Sequence, residues 1–85
     1  MGKQKYFCWL EETNFDEGWI DCVYRTSLGY TYAESEKKAI SNIKYRMGVR
    51  DTDSEHGFVS VRRRVKAVLA SKIDGKKLIE YEEGR

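Results

Sequence analysis

Four cations interrupt an otherwise apolar segment in Val59-Ser60-Val61-Arg62-Arg63-Arg64-Val65-Lys66-Ala67-Val68-Leu69. A basic tail would be solvated and mobile, whereas the flanking Val59, Val61, Val65, Val68 and Leu69 pin these cations against a core and fix their spacing. Two periodicities compete for the segment. Val61, Val65, Val68 and Leu69 recur at helical spacing, and Val59, Val61, Val65, Ala67 and Leu69 also fall on one face of a strand. The β-branched content and the hairpin signal Asp74-Gly75 ahead of Leu78-Ile79-Glu80-Tyr81 favour the strand, with a helix over 58–72 as the competing assignment. As a strand it aims Arg62, Arg64 and Lys66 from one face and turns Arg63 toward the apolar side. Arg63 is then the first place to look for a buried ion pair or for a segment that is not a strand.

The rest of the chain supplies a partner for that strand. Tyr6 to Leu10 is an aromatic and apolar run too short for a helix, so Lys5–Glu11 reads as a strand. Thr13–Gly18 turns the chain, and Trp19–Thr26 reads as a second strand. Tyr30–Ala33 either extends it past a kink at Gly29 or forms a short third strand. A turn centred near Phe15 sets Cys8 opposite Cys22. Tyr6, Cys8, Leu10, Ile20, Cys22 and Tyr24 then form the core face, with Phe7, Trp9, Trp19 and Val23 on the other.

Ser35 is placed to cap a helix that carries Glu36 in its first turn, with Ala39, Ile40, Ile43 and Met47 as the apolar stripe and Gly48 as its end. Arg50–Gly57 reads as a polar loop. These elements predict an α+β class domain over residues 1–85. Its small antiparallel sheet has the order β-β-(β)-α-β-β, with one amphipathic helix packed on one face. Eighty-five residues leave no room for a second domain.

The segment Tyr32-Ala33-Glu34-Ser35-Glu36-Lys37-Lys38-Ala39-Ile40 resembles the strand-to-helix junction of many small α+β domains, HicB-like antitoxins among them. The chain contains no proline, so the Pro-rich motif of that family is missing and neither function nor residues carry over.

Charge is segregated even though the formal net charge is only +2. Residues 11–21 hold Glu11, Glu12, Asp16, Glu17 and Asp21 with no cation, and residues 62–77 reverse the sign with Asp74 as their acid. The sequence lacks a stretch of ~18 apolar residues and the apolar core of a signal peptide, which predicts a cytoplasmic protein with no membrane partner. Tyr6 stands where a myristoylation site prefers Ser or Thr, so lipidation is not expected. Cys8 and Cys22 fit small core residues and free thiols better than a disulfide or a zinc site. His56 in an acidic loop lacks the convergent partners of a catalytic group. The expectation is a protein that is not an enzyme and needs neither metal nor cofactor.

Two binding readings follow. Arg62, Arg63, Arg64 and Lys66, with the aromatics Phe7, Trp9 and Trp19, suit a non-enzymatic adaptor or inhibitor that occupies a surface of a larger protein, a nucleic-acid-handling one included. Small modulators of this kind are common in phage and mobile elements. The alternative is direct, weakly sequence-specific RNA or DNA binding, with the cations on phosphates and the aromatics stacking on bases. A homodimer through an open sheet edge stays available. Glu80, Glu82 and Glu83 across the Asp74-Gly75 hairpin would pair with the cations of a merely solvated strand face and cancel part of their field, which weakens the nucleic-acid reading.

Overall fold

The structure, a computed structural model, describes residues 2–72. Among these, two long strands, β1 (Gln4–Asp16) and β2 (Trp19–Ala33), precede a helix, α1 (Glu36–Met47), and a second hairpin, β3 (Thr52–His56) and β4 (Val59–Leu69). All pairings are antiparallel and the sheet order is β2-β1-β4-β3. The α+β class, the β-β-α-β-β order and the strand at Val59–Leu69 agree with the sequence. Gly29 (φ 91°) lies where the β1–β2 register shifts, and Tyr30–Ala33 continues β2 beyond it.

The first hairpin is longer than expected, and its register differs. Glu17 and Gly18 both adopt positive φ, 54° and 85°, the geometry of a tight two-residue turn whose twist matches the flanking strands. The ladder therefore runs to Asp16 instead of ending before Thr13. Cys8 then faces Gly29 and Cys22 faces Asn14. The expected core face is corrected accordingly. Tyr6 and Cys8 are buried and Leu10 packs against them, but Ile20 and Tyr24 are exposed and Cys22 is only half-buried, because their rungs lie toward the turn.

The second correction concerns residues 50–57. Thr52–His56 is an edge strand, with Thr52 opposite Arg63 and His56 opposite Val59, and a turn at Gly57 (φ 61°) joins it to β4. Asp53, Ser54, Glu55 and His56 are exposed, so nothing required the apolar alternation by which a strand is recognised. The expected Asp74-Gly75 hairpin, the strand Leu78–Tyr81 and the acids Glu80, Glu82 and Glu83 lie outside the described residues.

Helix α1 starts and stops where the sequence places its caps. Ser35 Oγ accepts the Lys38 N–H at 3.2 Å, and Gly48, at φ 70°, sends its N–H to the Lys44 carbonyl. Ala39 and Ile43 are fully buried against Tyr6, Cys8, Ala33, Val65 and Ala67. Met47, assigned to the stripe, is half exposed, and Val49 packs on the core beyond the helix end. Arg46 donates to the Tyr30 carbonyl at 2.7 Å and Asn42 to that of Tyr32 at 3.5 Å, so the helix also shields part of β2's outer edge.

Candidate interaction surface

Strand pairing decides what the cations of β4 can do. Its central neighbour β1 carries Glu11 and Glu12, and its edge neighbour β3 carries Asp53. In register, Arg64 lies opposite Glu11, Arg63 opposite Glu12, and Arg62 opposite both Thr13 and Asp53. Alternation sends Arg62, Arg64 and Lys66 to the face away from α1 and Arg63 to the helix side, as a strand requires.

Each cation has an acidic partner. Arg63 Nε reaches Glu12 Oε1 at 2.9 Å, the ion pair expected at the out-of-pattern arginine, although both side chains keep about a third of their surface in solvent. Arg64 holds Asp53 at 3.1 Å and donates to the carbonyls of Thr52 and Arg63 at 3.2 and 2.8 Å. Arg62 sits 3.8 Å from Asp53 and 5.2 Å from the centre of the Phe15 ring. Lys66 donates to Glu11 at 2.8 Å, and Glu11 also accepts from Arg25 at 3.0 Å and from the Trp9 indole at 3.3 Å. Five cations thus share three carboxylates. The exposed pairs at Glu12 and Asp53 contribute only about 0–1 kcal/mol each, so their main consequence is a fixed side-chain geometry and a muted local field.

Glu11 is the hub, with only 15% of its side chain exposed. Burial pushes its carboxyl up, but the hydrogen bonds from Lys66, Trp9 and Arg25 and the Lys66 charge together outweigh burial and hold it below the ordinary 4.5. Asp51 balances in the same way. Burial raises it, while the Val65 N–H at 3.0 Å, Lys44 at 3.1 Å and the Arg64 charge bring it below 3.8. Carboxyls depressed in the folded state stabilise it above their unfolded values, and that contribution is lost as pH falls through the folded ones. The urea midpoint is therefore expected to hold at neutral pH and to drop below about pH 4.5. Glu11→Gln and Asp51→Asn together should flatten that drop; an equally steep decline in the double variant would assign it to other groups.

The three aromatics are not brought together. Phe7 and Trp9 are buried, their rings stacked with centroids 6.0 Å apart, and Tyr30 meets Phe7 at 5.3 Å with Lys5 above it. Trp19 is 79% exposed and pairs with Asp16, seven residues along β1 from Trp9, or about 23 Å away. At the same end of the sheet are exposed apolar residues that the sequence does not mark as contact residues: Phe58 (78% exposed), Ile20, which it assigns to the core face, and Val59, which it assigns to the apolar flank of the cations. A usable signal was present, since an aromatic directly follows the turn glycine in both Gly18-Trp19 and Gly57-Phe58.

Cys8 and Cys22 are free and six positions apart along β1 in register, Cys22 being paired with Asn14. Burial pushes the Cys8 thiol up to about 11 against the opposing pull of Arg46, so it stays protonated at neutral pH. His56 is exposed on β3. Among the described residues no helix is long and apolar enough to cross a membrane, and no group of three His, Cys, Asp or Glu side chains converges as a metal site. No protein-family model, curated protein or solved structure matches the chain.

Proposed function

We propose that this chain is a small non-enzymatic binding module of the adaptor or inhibitor type that occupies a surface of a larger protein. The carrying observation is that Arg62, Arg63, Arg64 and Lys66 are each engaged by Glu11, Glu12 or Asp53. Phosphate binding would require the cations to leave these carboxylates, or would bring phosphate close to them, and either weakens the electrostatic attraction on which nucleic-acid affinity rests. A protein surface can instead meet such a mixed array with its own charges in complementary positions. The burial of Phe7 and Trp9 favours the same reading, because bases can stack only on accessible rings.

Anisotropy titrations with single-stranded RNA and duplex DNA across a salt series test the reading. The wild type is expected to show no micromolar binding near physiological salt. Micromolar binding that weakens steeply with salt and disappears in Arg62/Arg63/Arg64→Ala would overturn the proposal in favour of direct nucleic-acid binding.

A further inference from the structure

Both hairpins end side by side at one end of the sheet. Trp19, Asp16, Val59 and His56 form a single rung across all four strands, and the Glu17 N–H donates to the Phe58 carbonyl at 2.8 Å, tying one turn to the other. The linked turns hold out Trp19 and Phe58, each more than three-quarters exposed, with Val59, 46% exposed, on the rung of Trp19 and Ile20, 64% exposed, on the next rung and the opposite face. None of the four collects in full the stabilisation that burial of its apolar surface would give. Neither turn needs an aromatic, since its geometry is met by Glu17-Gly18 in one case and Gly57 in the other.

The surroundings narrow the choice of occupant. Asp16, Glu17, Asp21 and Glu55 flank the apolar group. Arg62, the nearest cation on β4, is already placed on Asp53 and Phe15. We infer that the paired hairpin tips dock into a partner protein that presents an apolar socket rimmed by lysine or arginine. This rests on the reading of the chain as a protein-binding module and gives that module its contact surface. Anionic lipid and nucleic-acid phosphate would both meet these four carboxylates, and two copies meeting tip to tip would set like charges together. A basic-rimmed socket satisfies both the apolar centre and the acidic border. The bond between the turns pre-organises the tip, reducing the ordering cost of association.

The test is an NMR titration of the full ¹⁵N-labelled chain with two helical amphipathic peptides of equal length, one patterned from Lys and Leu and the other from Glu and Leu. The Lys/Leu peptide is expected to shift amides in 16–21 and 55–60 and to change Trp19 fluorescence, and the Glu/Leu peptide to do neither. Trp19→Ser with Phe58→Ser should weaken Lys/Leu binding by at least about tenfold while the urea midpoint stays nearly unchanged, since both side chains are exposed. The inference is overturned if the shifts map elsewhere, if the two peptides bind alike, or if the double variant binds as well as the wild type. It is also overturned if sedimentation shows self-association that the double variant abolishes, which would make a second copy the occupant. Nucleic-acid titration of the same sample separates the two levels. Failure at the tip without nucleic-acid binding removes only this surface, whereas binding lost in the arginine variant removes the protein-directed reading itself.

Discussion

Phe7→Ala is expected to destabilise the fold by roughly 3–5 kcal/mol, the range for truncating a large buried aromatic. The ring has no exposed surface and lies against Trp9 and Tyr30 on the sheet face opposite α1. Helix α1 covers only the Tyr6 and Cys8 side, so a cavity at Phe7 cannot be filled from the helix. At about 0.05–0.15 kcal/mol per residue, a chain of this length has about 4–13 kcal/mol in total, and the truncation would remove much of it. Urea unfolding of Phe7→Ala and Phe7→Leu measures the effect, with Leu expected to retain much of the lost stability. A cost below about 1 kcal/mol for Ala would show that the ring is not structural, and would return Phe7 to the list of contact residues.

Legibility of the fold followed from which residues had to be buried. Ser35, Gly48 and the Ala39–Ile43 stripe announced α1 because capping and amphipathicity are local, and the valines of β4 announced a strand because a central strand needs β-branched side chains on its covered face. The β1–β2 register was not legible to the residue. It depends on whether the turn closes at Phe15 or at Glu17-Gly18 and on shifts at Cys8/Trp9 and Asn14/Phe15, and a bulge exchanges faces for everything beyond it. β3 was invisible for the opposite reason: an exposed polar edge strand is specified by its partner's backbone and not by its own pattern. Missing β3 also meant missing Asp53. The neutralising acids were therefore sought at Glu80, Glu82 and Glu83, outside the described residues, when Glu11, Glu12 and Asp53 surround the patch. Arg63 shows how far alternation alone can reach: its place opposite the other cations follows from counting by two, whereas its partner Glu12 follows from the β1–β4 register.

The same three carboxylates supply the second large effect. Glu11→Gln, Glu12→Gln and Asp53→Asn together remove three negative charges, taking the formal net charge from +2 to about +5 and leaving Arg25, Arg62, Arg63, Arg64 and Lys66 without anionic partners among those acids. The amides keep hydrogen-bond acceptors at each site, so the stability cost at the exposed Glu12 and Asp53 should stay near roughly 0–1 kcal/mol each, with the larger share falling on Glu11, whose side chain is only 15% exposed. Affinity for duplex DNA at low salt should rise at least about tenfold. If four of the released cations contact phosphate, the log–log salt slope should approach about −3.6, the counterion release of that many contacts. Circular dichroism confirms folding, and anisotropy across a salt series reads the gain. A folded triple variant that binds DNA no better than wild type would mean that the carboxylates are not what withholds this cationic ladder from phosphate. In that case the ladder's spacing along β4, which all three substitutions leave untouched, would be the constraint.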